Sequence, residues 1–477
     1  MSDTPDRATG DLEAPIAEPP ESDELESTVA TQRRAVHEIW LAGTEEPDWV
    51  KAGTDEGAQE LLPDTDDPGL SIQRGTVVSD DYVTDDYVTG DERQIINMGP
   101  QHPSTHGVLR LQLELEGETI RRVKPIIGYL HTGMEKTAET LTYLQGPTNV
   151  TRMDYLSPFH NELAYSLAVE QLLGVALPPR ADAIRVLMTE LNRVASHLLW
   201  LATQGMDIGA ISMMLYGWRE REIVLEFFEK TTGLRMNHNY IRPGGVAADL
   251  PDGWEADVER ILREVPVGMS EYREILDENP IFLDRTVGIG IITQEECRAY
   301  GVTGPIARAS GIDWDLRKAF PYSGIDGYEF DVPLGKHGDV FDRYLVRMEE
   351  MRQSLRIVEQ VLETMPPGDY RTADRKVTPP PRKRIDESME ALIHHFKIFT
   401  EGFKVPAGEV YQAVESPRGE LGVYLVAQGG AKPWRVHVRG PSFAHVQALP
   451  MMMTDSLLAD MISTLASTDP VLGDVDR

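Results

Sequence analysis

Residues 178–205, PPRADAIRVLMTELNRVASHLLWLATQG, set the expectation for the fold class. Behind Pro178 and Pro179, the residues Ile184, Leu187, Met188, Leu191, Val194, Ala195, Leu198 and Leu199 recur in steps of three and four. That is the period of one apolar helix face. A helix is predicted from there to near Gly205. Glu190, Asn192, Arg193, Ser196 and His197 interrupt the stripe and read as satisfied structural groups before catalytic ones. Asp207 follows the expected helix end, close to Gly205 and Gly209. A carboxylate there meets the negative end of the helix dipole and calls for a compensating donor or cation.

On the N-terminal side, helical spacing returns at Leu163, Leu167, Val169, Leu172 and Leu173, between Pro158 and the stop at Gly174. Further helices are predicted from Thr132 and Gly133 towards Leu144, and over 218–232, 254–276, 337–364 and 454–465. Strand signals are confined to two places. Leu109, Leu111, Leu113 and Leu115 alternate up to a turn at Glu116, Gly117 and Glu118, and Ile120 and Val123 follow, which predicts a hairpin. Residues 408–439 alternate around Gly419, Gly422, Gly429 and Gly430, predicting a second antiparallel sheet. The expected fold is therefore α+β and mostly helical, with small antiparallel sheets near both ends of the folded part. The glycines of 287–291 lack the third glycine and the downstream acid of a dinucleotide loop, which removes that reading.

The net charge is −32, and 25 of the 78 acidic residues precede Arg93. Residues 1–92, with the tandem Asp80-Asp81-Tyr82-Val83-Thr84 and Asp85-Asp86-Tyr87-Val88-Thr89, read as an acidic, mostly disordered extension. Within it, residues 35–41 suit a short helix or strand, or plain solvated linker. Residues 93–477 are expected to form the folded part: an N-terminal sheet over 93–127, a helical core over 128–400, and a C-terminal sheet and tail over 401–477. No basic stripe exists to neutralise phosphates, so a nucleic-acid role is disfavoured. With Cys297 as the one cysteine, intrachain disulfides, cysteine-ligated iron–sulfur clusters and structural zinc–thiolate sites are excluded. The sequence shows neither a signal peptide nor an apolar run near ~18 residues. A soluble, cytoplasmic chain is expected, with peripheral membrane association open.

The stretch from Asn97 through Gly99, Pro100, His102, Pro103, His106 and Gly107 to Leu111 reads as a loop handing over to a strand. His102 and His106 stand four apart, a spacing that on a helix could grip a metal, but Pro103 between them argues against the helix. A tight turn with its imidazoles bonded to backbone is the alternative, and a metal-dependent hydrolase using His102, His106, His131 and Glu135 is the function that the metal reading would imply.

That loop, residues 128–136, Arg152-Met153-Asp154-Tyr155-Leu156, Arg219-Glu220-Arg221-Glu222, residues 240–245 and the closing Asp474-Val475-Asp476-Arg477 together resemble one family, in the same order. It is the quinone-site D subunit of respiratory complex I, the proton-pumping NADH:quinone oxidoreductase. The family shares its fold with the nickel–iron hydrogenase large subunit, whose two Cys-x-x-Cys pairs hold metal. The resemblance puts Asp154 and Ser157, and Val471 and Asp474, at those positions, where soft thiolates have given way to groups that cannot hold such a centre.

The resemblance implies that the vacated cavity receives the headgroup of menaquinone or ubiquinone, beside the terminal 4Fe-4S cluster of a neighbouring subunit. It makes His106 and Tyr155 the headgroup ligands and proton donors, Asp207 the partner of His106, and Arg152 either a cation near the cluster or an ordinary salt bridge. Developing charge on two quinone oxygens is what such donors stabilise. NADH, FMN and the iron–sulfur clusters would belong to partner subunits, with no metal held by this chain. Expected partners are the subunit carrying the terminal cluster, the C subunit and the membrane-arm subunit at the quinone entrance. The expected place is peripheral, on the cytoplasmic side of the cell membrane. Thr132 stands where mitochondrial relatives have arginine, and Asn237 where relatives often have histidine.

Overall fold

The computed structural model describes residues 93–100 and 107–477. His102, His106, the acidic tandem and the 35–41 segment lie outside the described residues. Strands β1 (Arg93–Met98), β2 (Arg110–Glu116) and β3 (Thr119–Ile126) form an antiparallel sheet in that order. The inward residues Leu109, Leu111, Leu113, Leu115, Ile120 and Val123 follow the predicted alternation, and the turn falls at Gly117, where φ is +61°.

The helical body consists of α1 (Pro158–Leu173), α2 (Pro179–Asp207), α3 (Ile211–Thr232), α4 (Trp254–Leu276) and α5 (Val340–Thr364). Strands β4 (Ile241–Arg242) and β5 (Gly245–Val246) make a small ribbon between α3 and α4. After α5 come α6 (Met389–Thr400), a three-stranded antiparallel sheet of β6 (Gly408–Ser416), β7 (Gly419–Ala427) and β8 (Arg435–Arg439), and then α7 (Pro441–Met453), α8 (Leu458–Thr468) and α9 (Leu472–Asp476). The mostly helical α+β class is as expected.

Helix α2 is the axis of this body. Every residue from 183 to 198 is buried, so the apolar stripe is only the most regular face of a helix covered on all sides. Several of its polar side chains bond to neighbouring helices. Glu190 accepts from Ser354 Oγ at 2.6 Å and pairs with Arg317 at 3.0 Å, and His197 Nε2 lies 3.0 Å from Glu350. Helix α3 crosses closely because two glycines sit at the contact. A Cβ on Gly205 would stand 2.6 Å from Met213 Cβ, and one on Gly217 would stand 2.8 Å from Ala202 Cβ.

The apolar interior has two parts. One joins α1 to α5 with the C-terminal sheet, and the other lies under the N-terminal sheet, where Leu111 and Leu113 pack with Leu449, Met453, Leu465 and Leu472 of α7, α8 and α9. The last helices therefore serve as the floor on which the first sheet rests.

Several element limits differ from the sequence expectation. The helix expected from Thr132 to Leu144 is only Met134–Ala138. Beyond it Thr140 Oγ1 donates to Thr137 O at 2.8 Å and Thr142 N donates to Gln145 Oε1 at 3.0 Å, local bonds that compete with the helix ladder. Helix α3 begins at Ile211, seven residues before the expected start, because its first turns expose Ile211 and Leu215 and give no inward period. The last long helix begins at Leu458 rather than Thr454. Residues 455–457 instead run beside β3, with Asp455 N donating to Ile120 O at 2.7 Å and Ile120 N to Ser456 O at 2.9 Å. Helices α6 and α7 are additions to the expected elements, whereas β1 falls inside the stretch 93–127 expected as sheet, ahead of the expected hairpin.

Candidate functional site

The 151–157 loop, between the short helix Gly146–Val150 and α1, is fixed at several points. Thr151 Oγ1 donates to Glu162 Oε1 at 2.7 Å, Asn161 Nδ2 to Asp154 O at 2.9 Å, and Asn192 Nδ2 to Leu156 O at 3.1 Å. Asp154 turns the chain, accepting from Leu156 N at 3.1 Å and from the Ser157 hydroxyl. Asp154 and Ser157 thus bond to each other.

Facing this loop is Arg418, from the tight β6–β7 turn, with a wholly buried side chain. Its Nη1 donates to Asp154 Oδ2 and to Ser196 Oγ, each at 3.0 Å, and its Nε donates to Asp469 O at 3.1 Å. Nη2 lies 3.0 Å from Asp469 Oδ2. Asp469 caps α8 in the left-handed region, at φ 49°. Nothing in the sequence reading marked Arg418; its turn, Ser416-Pro417-Arg418-Gly419, carries no signal of a partner 264 residues away.

Asp474 completes the cluster from α9. Its Oδ2 accepts from Ser442 N at 2.9 Å at the start of α7. Helix α9 is pressed onto the 151–157 loop: a Cβ on Gly473 would stand 2.2 Å from Met153 O. The base of the histidine loop reaches the same helix, since a Cβ on Gly107 would stand 4.0 Å from Leu472 Cδ2. Asp476 binds the 128–131 segment, accepting from Gly128 N at 2.8 Å and Leu130 N at 2.7 Å. Motifs from both ends of the folded part therefore meet on one short helix.

Tyr155 is half-buried at the rim of this cluster. Burial first, and then the Asp154 carboxylate, raise its pKa above that of a free phenol, while Arg418 pulls the other way. It is held as a protonated donor. Arg152 is exposed, and no carboxylate pairs with its guanidinium among the described residues.

Asp207 is the final residue of α2 and half-buried, two residues beyond the expected helix end. Ser196, which touches Arg418, lies eleven positions earlier on the same helix, so Asp207 stands ~16 Å further along the axis. The structure thus gathers Tyr155 with Asp154, Arg418, Asp469 and Asp474, and puts Asp207 at a different height. Of the hydrolase set, His131 Nδ1 is 2.7 Å from Asp476 O, and Glu135 accepts from Val438 N at 2.8 Å. Among the described residues no group of three or more His, Cys, Asp or Glu side chains is placed to hold a metal.

Residues 207–477 match the family described as respiratory-chain NADH dehydrogenase, 49 Kd subunit. The D 1 subunit of the NADH-quinone oxidoreductase of Salinispora arenicola is 55% identical over 405 residues, covering 81% of this chain and 92% of that protein. The chain belongs to the 49 Kd subunit family of respiratory-chain NADH dehydrogenase. The D 2 subunit from Roseiflexus sp. is 54% identical over 389 residues, with 81% and 93% covered, and the D subunit from Frankia casuarinae is 53% identical over 405 residues, with 81% and 84% covered.

Other family motifs of this 49 Kd-type chain have structural work at their positions. Arg221 is buried and donates to Ala195 O at 2.9 Å, bracing α3 on α2. Glu162 accepts from the backbone N of Asn239 at 2.6 Å, Tyr240 at 2.8 Å and Ile241 at 2.9 Å, tying the 237–241 turn to the loop that carries Arg152. Asn237 takes a left-handed φ of 55°, which asparagine tolerates better than most side chains. No helix among the described residues is long and apolar enough to cross a membrane.

Proposed function

We propose that this chain forms the quinone headgroup pocket of a proton-pumping NADH:quinone oxidoreductase. Electrons from a 4Fe-4S cluster on a neighbouring subunit reduce quinone to quinol there, and the redox energy drives proton translocation in membrane subunits. The observation that carries this reading is Tyr155: a half-buried phenol, kept protonated, at the rim of a buried carboxylate–arginine cluster beside which the histidine loop ends at Gly107. The relatives' shared name, NADH-quinone oxidoreductase, supports the substrate.

In this reading two electrons and two protons convert quinone to quinol, and His106 and Tyr155 each address one carbonyl oxygen. A phenol and an imidazole aimed at those oxygens stabilise the charge that develops and supply protons. Asp207 holds the His106 imidazole in its charged form, and Arg152, exposed and without a carboxylate partner among the described residues, faces the neighbouring cluster and favours the added electron. The partners are the cluster-bearing subunit, the C subunit and the membrane-arm subunit at the quinone entrance, on the cytoplasmic face of the membrane.

Tyr155→Phe and His106→Ala in the assembled complex test the assignment. Each is expected to lower quinone reduction by about a hundredfold, with assembly and cluster content unchanged. Normal turnover in both would overturn it.

A further inference from the structure

Resting on the quinone-pocket reading, we infer that Asp474 is the proton store that recharges Tyr155. Three buried carboxylates, Asp154, Asp469 and Asp474, surround the single guanidinium of Arg418. Asp154 and Asp469 are ion-paired with it. The third carboxyl has no ion pair among the described residues and only the Arg477 charge to offset it, and burying a poorly compensated charge is costly, so it is driven towards the protonated form.

Two further observations single out Asp474 as that carboxyl. Its two oxygens have different surroundings: Oδ2 accepts from Ser442 N and so caps α7, whereas Oδ1 is buried and has no hydrogen-bond partner. Oδ1 lies over Gly440, where a Cβ would come within 2.1 Å of it, so the missing side chain leaves room for this oxygen. A cap alone needs one oxygen; the other is free to carry a proton. Burial first, and then the Asp154 charge, push the Asp474 pKa up to about 6, against the Ser442 hydrogen bonds and the Arg477 charge. Backbone contact between Gly473 and Met153 brings this carboxyl to the loop that bears Tyr155.

The transfer balances. Tyr155 gives its hydroxyl proton to a quinone oxygen as electrons arrive from the partner's cluster, leaving a phenolate. The Oδ1–H bond of Asp474 then breaks and its proton is relayed over water to the phenolate, leaving Asp474 as a carboxylate that regains a proton from solvent. The groups acting on Asp474 are Asp154 on the loop, Arg418 on the β6–β7 turn, Ser442 on α7 and Arg477 at the end of its own helix.

The test is Asp474→Asn in the assembled oxidoreductase, with quinone reduction measured on both sides of about pH 6 and the infrared band of a protonated carboxyl followed on reduction. In the parent complex the rate falls as pH rises through the Asp474 pKa, because the store empties. The asparagine variant is expected to be about tenfold slower on the acidic side, to lose that limb and to lose the band, and Asp474→Glu is expected to restore both. An unchanged rate and limb, or a band that persists, overturns the inference. If the asparagine variant fails to assemble, Asp154→Asn decides: removing the like charge moves the limb to lower pH, and an unmoved limb overturns the inference. Tyr155→Phe separates the two readings. If it turns over normally the pocket assignment itself has failed, whereas a slow Tyr155→Phe beside a normal Asp474→Asn rejects the proton store alone.

Discussion

Arg418 is the residue on which the site's electrostatics turn. Its guanidinium lies within 3.0 Å of carboxylate oxygens on both Asp154 and Asp469, far apart in sequence, and all three are buried. Replacing such a pair with apolar groups of like volume is often tolerated, but removing one partner strands the other's charge. Arg418→Met is therefore expected to cost about 3–5 kcal/mol, read as loss of thermal stability and of assembled complex. Arg418→Lys is expected to be nearly as harmful, because an ammonium cannot span Asp154, Ser196 and Asp469 as a planar fork does. Wild-type stability in both would show that the cluster is ionised differently.

At the scale of elements, the crossing of α2 and α3 depends on the absence of two side chains. Gly217→Ala places a methyl 2.8 Å from both Ala202 Cβ and Leu198 O, and the helices have to part. A loss of about 1–3 kcal/mol is expected, seen as a lower unfolding midpoint and faster amide exchange in α3. Shorter elements rely on caps: Thr293 and Glu296 form a reciprocal capping box at the start of the helix Gln294–Tyr300. Thr293→Ala is expected to cost about 1 kcal/mol and to leave quinone reduction unchanged.

Over the whole molecule, the buried ionisable groups set the response to acid. Burial lowers the pKa of His197 and His238 to about 4 and of His445 to about 3. His197 is thus a neutral ring bonded to the Glu350 carboxylate, despite the ion-pair distance. A histidine whose folded pKa lies below its unfolded value of about 6.5 contributes stability that is complete above that pH. It is lost as pH falls towards the folded pKa, on the order of 3 kcal/mol for each of His197 and His238. Burial raises Glu162 to about 7 and Asp474 to about 6, and those acids act in the opposite sense, relaxing as pH falls. The histidines have the larger combined shift, so net destabilisation between about pH 6.5 and 4 is expected. Hydrogen exchange in α2 peptides across that range checks it, and protection that rises on acidification would contradict it.

Local matters were legible in the sequence alone. The helical class follows from the stripe on α2, the N-terminal hairpin from alternation and Gly117, and the end of α1 from Gly174, because each depends on steps of two to four residues along the chain. The family motifs also brought Tyr155 and Arg152 forward. Where buried residues are spread over several faces, as with α7 and its internal Pro450, or apolar residues turn outward, as at the start of α3, no clean inward period exists to be read. Tertiary packing was needed to join Asp154 to Arg418 and Asp469, to set Asp474 beneath the Tyr155 loop, and to put Asp207 about three turns further along α2. Those relations arise where α9, the β6–β7 turn and the 151–157 loop are packed together, and charge compensation in a dry interior depends on distance in space rather than position in the chain.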